Sequence, residues 1–127
     1  MTARAEFHAA HFIAGAWLPR SGAAYESVDP ALGTALGTAD PGTEEIADQA
    51  IAVARKAFFA TDWSASPRMR ADALYEFADR MEAKSARLTE VLLAEGGKLR
   101  AEAAGEVRGA ISEARYYGGL ARAIHGR

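Results

Sequence analysis

Three long runs with apolar residues at helical spacing occupy most of the chain from Thr43 onward, and the segment before them is too short to supply a sheet covering all three. In the first run Ile46, Ala50, Val53, Ala54, Ala57 and Phe58 share a face, while Asp48, Arg55 and Lys56 lie opposite. That spacing predicts a helix with one buried side. Thr43 stands where its hydroxyl would cap the free amides of the first turn, and Glu44 and Glu45 suit the positive end of the helix dipole. After the break Asp62–Pro67, Ser66 reads as an N-cap with Pro67 at the first helical position, where a missing N–H costs nothing.

The second helix is expected from Pro67 to about Ala94, with Leu74, Phe77, Ala78, Met81, Leu88 and Leu92 as its apolar stripe. Gly96-Gly97 ends it, as glycine does where a left-handed cap is needed. The third is expected from Leu99 to about Ile124, burying Ala103, Val107, Ala110, Ile111, Ala114, Tyr117 and Ala121. Gly105 and Gly109 fall inside it at a cost of about 1 kcal/mol each relative to Ala. That pair points to another element packed closely there.

The N-terminal third reads as extended. Phe12, Ile13, Trp17 and Leu18 flank the turn pair Ala14-Gly15, a hairpin pattern in which glycine supplies a positive φ. Pro19–Ala24 is a small-residue turn. Tyr25–Val28 alternates with period two, Asp29–Gly33 is a tight turn, and Thr34–Ala39 is a further strand. Residues 1–11 are expected to be a flexible lead-in, with the fold beginning at Phe12. The fold class is therefore α/β: short β-strands followed by three amphipathic helices. Alternating strand–helix units, which a free-standing parallel sheet would require, are missing, so a partner layer is implied.

Composition narrows the function. Half of the 127 residues are hydrophobic, enough apolar surface to fold rather than stay disordered. A formal charge of −2, with Lys and Arg interspersed among acids, argues against nucleic acid or an anionic membrane as partner. No apolar run approaches the roughly 20 residues of a membrane span. Arg4, Glu6 and His8 stand where a signal peptide would be apolar, so the expected location is the cytoplasm. Zero cysteine excludes a disulfide framework, a thiolate metal site and a cysteine nucleophile within these residues.

The remaining motifs read as structural. Gly96-Gly97-Lys98 lacks the earlier glycine and the Ser or Thr of a phosphate loop, Leu92 and Leu99 standing in their places. Gly33 and Gly37 form no dinucleotide fingerprint. His8 and His11 would share a helical face, but with His125 they gather no further ligand for a metal. Ser27, Ser64, Ser66, Ser85 and Ser112 have no histidine base placed beside them by any motif. Glu102, Glu106 and Glu113 read as a solvated face with Arg108 and Arg115. Trp63 and Tyr116-Tyr117 read as core anchors.

Taken in order, Phe12-Ile13-Ala14-Gly15-Ala16-Trp17, Tyr25 through Gly33, Ala57-Phe58, Trp63-Ser64, Arg70, Leu74, Leu88, Leu92, Glu95, Gly97-Lys98, Glu102, Glu106 and Tyr116-Tyr117 through Ala121 resemble the N-terminal segment of the aldehyde dehydrogenase superfamily. The resemblance runs from Phe12 to about Arg122. It departs from the family at Asp29, often Asn, at Leu99, often Pro, and at Gly96-Gly97, more often a single Gly.

The resemblance implies residues 12–127 as the N-terminal part of a cofactor-binding domain, with the catalytic domain absent from these residues. It implies a parent enzyme, a homo-oligomer, that oxidises an aldehyde to a carboxylic acid with NAD or NADP. In that family a cysteine thiolate attacks the aldehyde carbon, hydride passes to the nicotinamide, and a glutamate-activated water releases the acid. Those groups lie further along the family's chain, so no catalytic or cofactor-binding residue is assigned here and no cofactor is expected on this chain alone. Some members bind a monovalent cation, and the resemblance carries that site to the carbonyls of Ser27 and Val28 and the carboxylate of Glu95, where Glu replaces the usual Asp. Expected partners are the remainder of the aldehyde dehydrogenase fold or a second copy. The alternative reading is a non-catalytic helical module that interacts or self-associates.

Overall fold

The computed structural model describes residues 7–20 and 24–123. The elements, in order, are β1 (Phe7–Ala9), β2 (Phe12–Ile13), β3 (Ala16–Trp17), β4 (Tyr25–Val28), β5 (Ala35–Ala39), α1 (Glu44–Ala60), α2 (Pro67–Ala83), α3 (Ser85–Gly96) and α4 (Arg100–Arg122). They gather into two compact units. One holds the described residues up to Lys56 with Ala94–Gly97; the other holds Ala57–Leu93 and the residues from Lys98.

The first unit is built on two small sheets. β2 and β3 pair antiparallel around Ala14 and Gly15, both at positive φ (55° and 81°), the twist that a two-residue hairpin favours. The Phe12 and Trp17 rings pack with centroids 5.0 Å apart. In the second sheet β5 is central, with β1 parallel on one side and β4 antiparallel on the other. Gly37 makes this possible: a Cβ there would sit 2.1 Å from the Phe7 carbonyl oxygen.

Residues 7–11 are therefore not a flexible lead-in; residues 1–6 lie outside the described set. β1 registers on Gly37–Ala39, and the Asp40 amide donates to the Ala9 carbonyl at 2.9 Å. His8 Nε2 donates to the buried Asp40 carboxylate at 3.1 Å, and its Nδ1 shares a 2.8 Å hydrogen bond with the Thr38 hydroxyl. His11 Nε2 donates to the Pro41 carbonyl at 3.2 Å. A three-residue strand shows no periodicity, and its partner lies 30 residues on, so nothing local announces it. The same contacts correct the helical reading of His8 and His11, since His8 sits in a strand.

The turn after β4 is organised by Asp29, whose buried carboxylate accepts from the amides of Ala31 (2.9 Å) and Leu32 (3.2 Å). Its own carbonyl accepts from Gly33, which has φ +67°.

Helix α1 starts as expected: the Thr43 hydroxyl accepts from the Ile46 amide at 3.3 Å. Hydrogen bonds from Thr43 and from the backbone hold the Glu45 carboxyl below its ordinary value. The expected buried face is not found. No α1 residue is buried, and Ile51 is 65% exposed. Periodicity fixes which side chains share a face, not whether anything lies against it.

The second unit is helical. Ser66 caps α2, accepting from Met69 N at 3.2 Å, with Pro67 first in the helix. The single long helix expected to Ala94 is instead two, broken at Lys84 (φ −107°, ψ 10°), so the described residues form four helices where three were expected. No proline or glycine marks that break. The core cluster is Ala78, Val107, Ile111 and Ala114, with Met81, Leu88 and Leu92 packed against it. Ala71 and Ala103 are also fully buried.

On α4, Ala103, Val107, Ile111, Ala114 and Ala121 are buried as expected, but Ala110 and Tyr117 are exposed and Gly118 is buried instead. The close approach is at Gly118, where an added Cβ would stand 3.2 Å from the Tyr75 ring, and not at Gly109, which faces open space. Arg115 pairs across to Asp79 (2.9 Å) and Glu82 (2.6 Å) on α2, rather than with the acids of its own helix. Those two carboxylates raise its guanidinium further. Ile124 and His125 lie outside the described residues. Among the described residues no helix is long and apolar enough to cross a membrane.

Two substitutions test this packing. Gly37→Ala should lower stability by about 1–3 kcal/mol, read as a lower urea midpoint, because the methyl must displace β1. Gly109→Ala should raise stability by about 1 kcal/mol, because the methyl meets nothing and the helix gains propensity. An unchanged midpoint for the first, or a lower one for the second, would contradict the packing described.

Candidate functional site

The best-formed candidate joins two segments of the first unit that lie far apart in sequence. Along β4, Ser27 faces Gly37 and Val28 faces Ala35, so a bulge interrupts the ladder between them. A bulge leaves nearby backbone groups outside regular pairs and re-aims the chain. The other half comes from the end of α3. Gly97 has φ +59°, and a Cβ on it would stand 2.8 Å from Pro30 Cγ. Glycine thus serves twice: it turns the chain out of α3 and lets that turn rest on the loop following β4.

This brings the Ser27 hydroxyl to Glu95 across 68 positions, donating to Oε1 at 3.4 Å. Glu95 is exposed, Ser27 half-buried and Val28 exposed. The structure therefore unites Ser27 and Glu95, with Val28 next in the chain. One carboxylate beside a hydroxyl and a bulged backbone is an all-oxygen donor set, which suits a hard cation. It holds no thiolate and no imidazole, and nothing in it would generate a nucleophile.

The other residues singled out in the sequence are occupied elsewhere. His8 and His11 fasten β1 and the segment after it to Thr38–Pro41. Among the described residues no group of three or more His, Cys, Asp or Glu could hold a metal ion. Both ring nitrogens of His8 and the Nε2 of His11 are engaged by Thr38, Asp40 and Pro41. Gly33 closes the Asp29 turn and Gly37 lies within β5, so neither opens a helix and neither fits the pyrophosphate of a dinucleotide. Lys98 is bound to the Glu106 carboxylate at 2.6 and 2.7 Å, which suits a helix junction and not a phosphate loop.

Trp63 and Tyr117 do not anchor a core. They are 39% and 54% exposed and wall an open apolar cavity of about 440 Å³ with Leu74, Leu120 and Ala121. Arg70 forms part of the same wall and donates through Nη1 to the carbonyls of Trp63 (2.6 Å) and Ser64 (3.0 Å). The sequence carried Arg70 only as a point of family resemblance. Its role as a clasp on the loop before α2 depends on where that loop folds.

Comparison with known proteins agrees with this architecture. The sequence model of the Aldehyde dehydrogenase family matches residues 17–127. The chain is 33% identical over 116 residues to an aldehyde dehydrogenase of Aspergillus niger, a match covering 91% of this chain and 22% of that protein. It is 31% identical over 116 residues to a D-glyceraldehyde dehydrogenase (NADP(+)) of Thermoplasma acidophilum, covering 91% and 23%. The crystal structure of an NAD-dependent aldehyde dehydrogenase from Sinorhizobium meliloti superposes with a TM-score of 0.91 at 28% identity, over 98% of this chain and 25% of that one. The chain spans about a quarter of the length of these relatives. With the family's sequence model matching residues 17–127 and the fold superposing on a solved member, the chain belongs to the aldehyde dehydrogenase family.

Proposed function

We propose that this chain is the N-terminal scaffold, over residues 12–127, of the cofactor-binding domain of a cytoplasmic, homo-oligomeric aldehyde dehydrogenase that oxidises an aldehyde to a carboxylic acid. The observation that carries the reading is the family match over residues 17–127. NAD or NADP, the cofactors in the names of the relatives, would accept the hydride. The thiolate chemistry of the family requires a cysteine, and these residues contain none. The thiolate would therefore come from another part of the fold, and the family resemblance assigns the base that activates water and the cofactor cradle there too. The uncovered side of α1 and the open cavity beside Trp63 support a partner layer, as the rest of an aldehyde dehydrogenase fold would provide. The comparisons do not favour a self-associating helical module.

The test is direct. The purified chain, given a panel of aldehydes with NAD or NADP, should produce no reduced nicotinamide above a protein-free control. Sustained, aldehyde-dependent production would sink the reading.

A second proposal concerns Ser27, Val28 and Glu95. The two carbonyls and the Glu95 carboxylate bind a monovalent cation; the 3.4 Å approach of Ser27 to Glu95 supports this. Replacing choline with sodium or potassium at constant ionic strength should then raise the unfolding midpoint. The gain is about 1.4 kcal/mol once the cation reaches about ten times its Kd. Glu95→Gln should abolish that gain while leaving the choline midpoint close to that of the parent chain. Equal midpoints in choline, sodium and potassium would overturn the site.

A further inference from the structure

No further inference is drawn: the strongest candidate, the open apolar cavity of about 440 Å³ walled by Trp63, Leu74, Tyr117 and Leu120 between α2 and α4, carries nothing because nothing in the structure shows what covers it.

Discussion

Alanine and glycine, interleaved with Val107 and Ile111 at the contact of α2 with α4, set the character of the helical unit. Ala71 and Ala78 on α2 meet a face of α4 made of Ala103, Val107, Ile111, Ala114, Gly118 and Ala121. Small residues let helix backbones approach closely, so dispersion contacts form along the length of both elements. The energetic yield of each is modest. A buried methyl contributes about 0.8 kcal/mol, against about 1.5–3 kcal/mol for a whole Leu or Ile side chain. Among the described residues no large side chain is fully buried. Arg115 bridges the same two helices through Asp79 and Glu82, but solvent screens exposed pairs of this kind and they add little. The interface is thus fixed more by shape than by large apolar burial.

The strand unit follows a similar logic with different residues. Gly37 lets β1 lie against β5, and Gly97 lets the end of α3 rest on Pro30. In both places the missing Cβ is required by backbone or ring atoms of a segment far away in sequence. Asp29 adds the local part by folding its own turn through two backbone amides. The Ser27–Glu95 approach is a consequence of these constraints, since neither residue has a local reason to find the other.

Aldehyde oxidation concentrates its demands on a thiolate, an activated water and a bound nicotinamide. The chain contains no cysteine to supply the thiolate. What the residues do provide is backbone geometry, capped helix starts and exposed apolar surface at Ile51, Trp63 and Tyr117. Family membership is recognised here by the order of many weak features rather than by one strong motif.

The local features were legible because their causes are local. The Ala14-Gly15 hairpin, the Asp29 turn, the Thr43 and Ser66 caps and the glycine exit at Gly97 each depend on the φ preference or hydrogen-bonding reach of one or two residues. Family membership was legible too, through the order and spacing of residues from Phe12 onward. Tertiary structure alone decided the rest. It paired β1 with a strand 30 residues away, broke the long helix at Lys84 with no proline or glycine to mark it, and sent Arg115 across to α2. It also left α1, Trp63 and Tyr117 uncovered although their spacing and size suited a core. Sequence periodicity specifies which side chains face the same way; what stands opposite them depends on how distant parts of the chain pack.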